Sequence, residues 1–217
     1  MIKLNKLFIF SRVLMFKLGL YSLYHISRPR SDVTKYLDNI HLPHRNLIID
    51  KLSEVDDLSN YTIVEFGCGW GPNLKLISDR LKSKCVGFDI SKSSIEIARS
   101  KNSNVKFEVL NMKSSHVQSK LEEIETKVIV ITDASLMYLS KNEVQEFFLI
   151  LKKAAVRFMI CVELVGDGSK EKDGYFHDYE KIFSDMNFIV KDSIKLNQNF
   201  KDAINWQKAG FLYFLRL

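Results

Sequence analysis

The sequence predicts an α/β protein built on a mostly parallel sheet with helices on both faces. Three observations carry that prediction. From residue 60 onward, short β-rich runs alternate with helical stretches, the pattern of strands joined by crossover helices. The first run ends in a glycine-rich turn that opens a helix, "VEFGCGWGPN" at residues 64–73. The last two runs are separated only by "KLNQNFKDAINWQKAG", without a convincing helix, so they read as an antiparallel pair closing one edge.

Taken in order, residues 1–27 form a basic, apolar and aromatic segment. They do not read as a signal peptide, because Arg12 and Lys17 interrupt the apolar region and no small-residue cleavage pattern follows. On a helix, Lys3, Lys6 and Lys17 share an arc of about 60° while apolar residues occupy nearly the whole circumference. Two readings stay open: an interfacial helix near anionic lipid, or a cap buried against the main domain or a second subunit. Residues 32–57 read as one or two helices broken near Pro43. Strands are expected at 62–66, 85–89, 105–110, 128–132, 158–164, 188–193 and 211–217. Helices are expected near 72–82, 92–101, 115–124, 142–155 and 175–186. With no internal repeat and no Pro/Gly-rich linker, residues 1–57 are expected to form a helical cap on a main domain of residues 58–217, together one compact unit.

Composition narrows the classes. The 217 residues, 46% apolar and 27% charged, suit one soluble globular domain. Cys68, Cys85 and Cys161 are widely separated and lie in or beside apolar runs, which fits buried thiols in a reducing compartment. The net charge of +6 is local. Lys3, Lys6, Arg12, Lys17, Arg28 and Arg30 are unopposed by any acid through residue 31. The rest of the chain is therefore electrostatically balanced, against the pattern of a nucleic-acid enzyme.

Gly67, Gly69 and Gly71 stand at every second position after a strand. Such a turn lets a ligand approach bare backbone at a helix N-terminus. A dinucleotide fold spaces its glycines G-x-G-x-x-G, whereas this spacing is G-x-G-x-G, followed by Pro72-Asn73. Glu65, two residues before the first glycine, would repel a pyrophosphate. It suits a ligand presenting a cation, and a sulfonium amino acid with its α-ammonium group fits.

Glu65 with Gly67-Cys68-Gly69-Trp70-Gly71 resembles the first motif of class I S-adenosylmethionine-dependent methyltransferases, well over residues 58–164 and loosely beyond. The resemblance implies a Rossmann-like, seven-stranded sheet of order 3-2-1-4-5-7-6, with S-adenosylmethionine (SAM) as cofactor. It also implies that the loop backbone holds the methionine portion and that Glu65 serves the amino group, directly or through water. Asp89 ends the second strand 22 residues after Gly67, followed by Ile90, where a carboxylate can accept from both ribose hydroxyls. The alternative for Asp89 is an N-cap acid. Asn111 stands where the family usually has an aspartate for the adenine amino group, and Met112 would supply an N–H and an apolar wall. Asn111 could equally close a turn.

Asp133 ends the fourth strand, in the crevice where such sheets bind ligands, and could orient a substrate or cap a turn. His177 is the best general-base candidate beyond the fifth strand. His41, His44 and Tyr138 rank below it. No metal spacing is present. The expected function is methyl transfer to a small molecule, oxygen-directed on a saccharide or lipid-linked acceptor, in the cytoplasm or peripheral at the inner membrane surface. A homodimer stays open. The alternatives are an RNA or protein methyltransferase using the basic N-terminal segment, a nicotinamide oxidoreductase disfavoured by the loop, and a cofactor-binding scaffold without turnover.

Overall fold

The computed structural model describes residues 14–15, 18, 20–27, 43–171, 174–196 and 204–217. Seven strands form one sheet: β1 (Tyr61–Phe66), β2 (Lys84–Asp89), β3 (Lys106–Val109), β4 (Lys127–Asp133), β5 (Phe158–Leu164), β6 (Ile189–Lys195) and β7 (Gly210–Arg216). Their spatial order is β3-β2-β1-β4-β5-β7-β6. The first five are parallel, while β7 lies antiparallel to both β5 and β6. Fold class and strand order are those implied by the sequence. A separate minimal hairpin pairs Lys170–Glu171 with Gly174–Tyr175.

The helices are α1 (Tyr21–Ile26), α2 (His44–Ser53), α3 (Pro72–Leu81), α4 (Lys92–Lys101), α5 (His116–Glu122), α6 (Lys141–Lys153), α7 (Tyr179–Asp185) and α8 (Ile204–Ala209). Local chemistry sets their starts. Ser140 and Glu143 make a reciprocal capping box at α6, Ser91 Oγ caps α4, and Asp178 caps α7. Two expectations change. α8 occupies part of the stretch read as lacking a helix, and the helix expected at 175–186 begins only at Tyr179. His177 therefore sits outside it, bridging to Val165 in extended backbone.

Strand parity divides the interior into two cores. Val64, Phe66, Val130, Met159 and Cys161 face one side, beneath Phe147, Phe148 and Phe183. Ile63, Ile129, Ile131, Ile160 and Val162 face the other, beneath Ile48, Leu52, Leu74 and Ile95. Because Ile48 and Leu52 of α2 share this second core with β1 and α3, the boundary expected after residue 57 falls between elements packed on one another. The same parity decides the site. Glu65 and Asp133 project at the strand ends on the α2/α3 side, and Glu163 projects on the opposite side. All three cysteines are buried and unpaired.

Candidate functional site

The C-terminal ends of β1, β2 and β4 open on a cavity of about 420 Å³, roofed by α1 and walled by α2 and the loop after β1. Glu65, Gly67, Cys68, Gly69, Asp89, Ile90, Asn111, Met112 and Asp133 all line it. Of the sequence-derived site residues, Gly71 and His177 do not.

Gly67, Gly69 and Gly71 all have left-handed backbone, with φ of +73°, +56° and +79°. A Cβ on Gly67 would lie 2.5 Å from Ser135 Cβ, and one on Gly71 would lie 2.5 Å from the Phe107 ring. Those two glycines make room for the protein itself. A Cβ on Gly69 would meet nothing within 4 Å, so that glycine keeps the cavity clear. The loop is also no anion nest. The amides of Gly67 and Cys68 donate to Phe88 O, that of Gly71 donates to Cys68 O, and that of Gly69 donates to Asp89 Oδ2 at 2.8 Å. With these four N–H groups consumed internally, the turn suits a cationic or neutral ligand better than a phosphate.

Asp89 braces the loop, accepting from Gly69 N and, through Oδ1, from Ser91 N at 2.7 Å. It is not the N-cap, since Ser91 Oγ takes that position. Each carboxylate oxygen has a second lone pair for a ligand hydroxyl. Asn111 closes an Asx turn, its Oδ1 accepting from Lys113 N at 3.0 Å, while still lining the cavity.

Glu65 and Asp133 meet in a polar cluster that the sequence only half revealed. Asn73 Nδ2 donates to Glu65 Oε1 at 2.7 Å and to Asp133 Oδ2 at 3.0 Å, and Arg45 donates to Asn73 Oδ1. Arg45 lies 3.6 Å from Asp133, and His44 Nε2 lies 3.0 Å from the same oxygen. Burial would raise Asp133, but the His44 and Arg45 charges with the His44 and Asn73 hydrogen bonds hold it well below the usual carboxylate range. Asp133 is thus a fixed anion and a poor proton acceptor. Burial, reinforced by Asp133, pushes Glu65 up to about 8. Its Oε2 is buried with no hydrogen-bond partner, an acceptor waiting for a donor in the cavity wall.

His177 is fully buried, with Nε2 2.9 Å from Leu139 O, and burial lowers its pKa. It pins the turn after β4 from below and faces no ligand space, so the structure does not place it as a base. Glu163, absent from the sequence reading, works on the same turn. Its carboxylate accepts from Ser135 N, Leu136 N and Met137 N at 3.0–3.4 Å. Burial pushes it up to about 8 against the pull of those three donors. The roof is aromatic: the Tyr138 ring lies 5.5 Å from Tyr21 and 4.5 Å from His25, and Trp206 completes the lining. His44, Arg45 and Asn73 were missed as partners because they converge only in space. The one local signal was Asn73, standing where a dinucleotide loop continues toward its third glycine. His41 lies outside the described residues.

Residues 63–154 match a family model described as a methyltransferase domain. No curated protein matches the chain. Among solved structures, a SAM-dependent methyltransferase from Leishmania major aligns with TM-score 0.68 at 15% identity, covering 92% of this chain and 82% of that one. The plantazolicin methyltransferase, solved with a pentazolic desmethyl analogue and S-adenosylhomocysteine, aligns with TM-score 0.61 at 16% identity, covering 96% and 97%. The geranyl diphosphate C-methyltransferase of Streptomyces coelicolor aligns with TM-score 0.59 at 14% identity, covering 86% and 82%.

Proposed function

We propose that this chain is a class I S-adenosylmethionine-dependent methyltransferase that methylates a small-molecule acceptor held under the aromatic roof of its cavity. The match to a methyltransferase-domain model supports SAM as its cofactor. The observation that carries the site assignment is the buried, unpartnered Glu65 Oε2 in the cavity wall, the acceptor an α-ammonium group requires. Gly69 supports the fit, because its missing Cβ leaves open the space the cofactor would cross.

In this reading Glu65 takes the amino group, directly or through one water, and Asp89 takes the ribose hydroxyls. Ile90, Asn111 and Met112 flank the adenine, with Cys68 and Gly67 beneath the amino-acid portion. The bound cofactor supplies a methyl group already activated on a sulfonium, so the protein's contribution is alignment and exclusion of water. Asp133, locked by His44, Arg45 and Asn73, fixes the wall between the cofactor's amino-acid end and the acceptor chamber. Tyr21, His25, Tyr138 and Trp206 supply that chamber's aromatic wall. A saccharide or lipid-linked hydroxyl must lose its proton. His25 lines the cavity and is the candidate for that role, since His44 is engaged by Asp133.

Asp89→Ala is expected to weaken SAM binding by about 1.5–3 kcal/mol, the range for charge-assisted hydrogen bonds. Isothermal calorimetry reads this directly, and unchanged affinity would remove Asp89 from the ribose. The reading as a whole is tested by mass spectrometry of the purified protein for carried SAM or S-adenosylhomocysteine. A labelled-methyl screen of sugars, lipids and RNA then identifies the acceptor. Label on RNA alone would overturn the small-molecule assignment.

A further inference from the structure

The roof of the cavity has a second face. Among the described residues, nine large apolar side chains are exposed, and five of them crowd into residues 14–26: Leu14, Leu18, Leu20, Leu23 and Ile26, each 44–61% exposed. Leu18 N bonds to Leu14 O at 2.9 Å and Tyr24 N bonds to Leu20 O at 3.0 Å. On α1 the 100° step separates Tyr21, Ser22 and His25, which line the cavity, from Leu20, Leu23 and Ile26, which face outward. Among the described residues of α1 and its N-cap, that outward side presents Leu20, Leu23 and Ile26 to solvent.

Charge says what covers it. Six Lys and Arg residues, and no acid, lie in residues 1–31, while the remainder of the chain balances 26 basic against 26 acidic residues. A second copy would bring the same positive segment and repel it. A soluble acidic partner would answer the charge and leave the leucines in water. An anionic bilayer answers both, taking leucines below its headgroups and Lys or Arg at their level. No helix among the described residues is long and apolar enough to cross a membrane, so the contact is interfacial.

We propose that the exposed Leu14, Leu18, Leu20, Leu23 and Ile26 dock on an anionic membrane surface, with the basic residues of the N-terminal sequence supplying the attraction. Because α1 also roofs the cavity, the acceptor is drawn from the lipid phase; that consequence rests on the methyltransferase reading, whereas the surface itself does not.

Co-sedimentation of the full chain with vesicles tests it. Binding is expected to vesicles of phosphatidylcholine mixed with phosphatidylglycerol, to weaken as salt is raised, and to be poor with phosphatidylcholine alone. Leu18→Ser with Leu23→Ser should cost about tenfold or more in vesicle affinity for each leucine removed. Neither residue lines the cavity, so SAM affinity in calorimetry should be unchanged and shows that the variant is folded. Lys3→Gln with Lys6→Gln should weaken binding to the mixed vesicles alone. A chain that takes up SAM normally yet stays in the supernatant with both vesicle types overturns the proposal. So does a concentration-dependent dimer that the leucine substitutions dissolve. Vesicle binding without SAM binding would leave the surface standing and bring down the reading of the site.

Discussion

Gly69→Val abolishes SAM binding and leaves a folded protein. Two features of the loop make the outcome specific to this glycine. A side chain at residue 69 meets no protein atom within 4 Å, so its bulk enters the cavity. The backbone there has φ of +56°, which a β-branched residue adopts only under strain of about 1–2 kcal/mol. That strain lowers the midpoint of thermal unfolding by a few degrees, about 2–4 °C per kcal/mol for a chain of this size. Gly71→Ala is the contrasting variant. Its Cβ is driven into the Phe107 ring inside the second core, so the loss appears as instability of the whole fold. Calorimetry and thermal melts separate the two. Normal SAM uptake by the valine variant would remove the loop from the site.

SAM affinity follows a bell-shaped pH profile centred near 8, and Glu65→Gln removes its acidic limb alone. In the ligand-free protein, burial and the neighbouring Asp133 push Glu65 up to about 8, so below that pH it is mostly protonated. An α-ammonium group needs the carboxylate. Each binding event near pH 7 therefore releases about one proton, and the apparent dissociation constant falls about tenfold per unit from pH 6 toward 8. Above that, the ligand's own amino group, with an ordinary pKa of about 7.7–8.0, loses its charge and affinity declines. Glutamine cannot titrate, so the alkaline limb should persist without the acidic one. Calorimetry in two buffers of different ionisation enthalpy counts the proton. Binding by the native chain with no proton exchange at pH 7 would take the amino group away from Glu65.

The sequence spoke most clearly where one residue's requirement is local. The alternation of strands and helices, the left-handed turn at Gly67–Gly71 and the carboxylate ending β2 follow from patterns within a few residues. Asn111 was ambiguous for a physical reason, since its carbonyl can serve either the turn to Lys113 or a ligand, and in the structure it serves the turn. His177 was misleading. Its neighbourhood reads as a polar loop and surface helix, but the bridge at Val165 draws it under the turn after β4, where Leu139 takes its ring nitrogen. α8 was hidden in a stretch with weak periodicity. The N-terminal segment was left open between cap and lipid contact, and α1 has one face on the cavity and another in the open.

By itself, the sequence determined the sheet, its strand order through the family resemblance, and the residues at the tips of β1, β2 and β4. These depend on hydrophobic periodicity and turn chemistry, which act over short spans of chain. Only the tertiary structure decided the company Glu65 and Asp133 keep. Strand parity turns both to one side, and the helix preceding β1 and the helix following it deliver His44, Arg45 and Asn73 to them. A buried carboxylate has its charge state set by whichever donors surround it, and residues distant in the chain become donors only once the chain has folded.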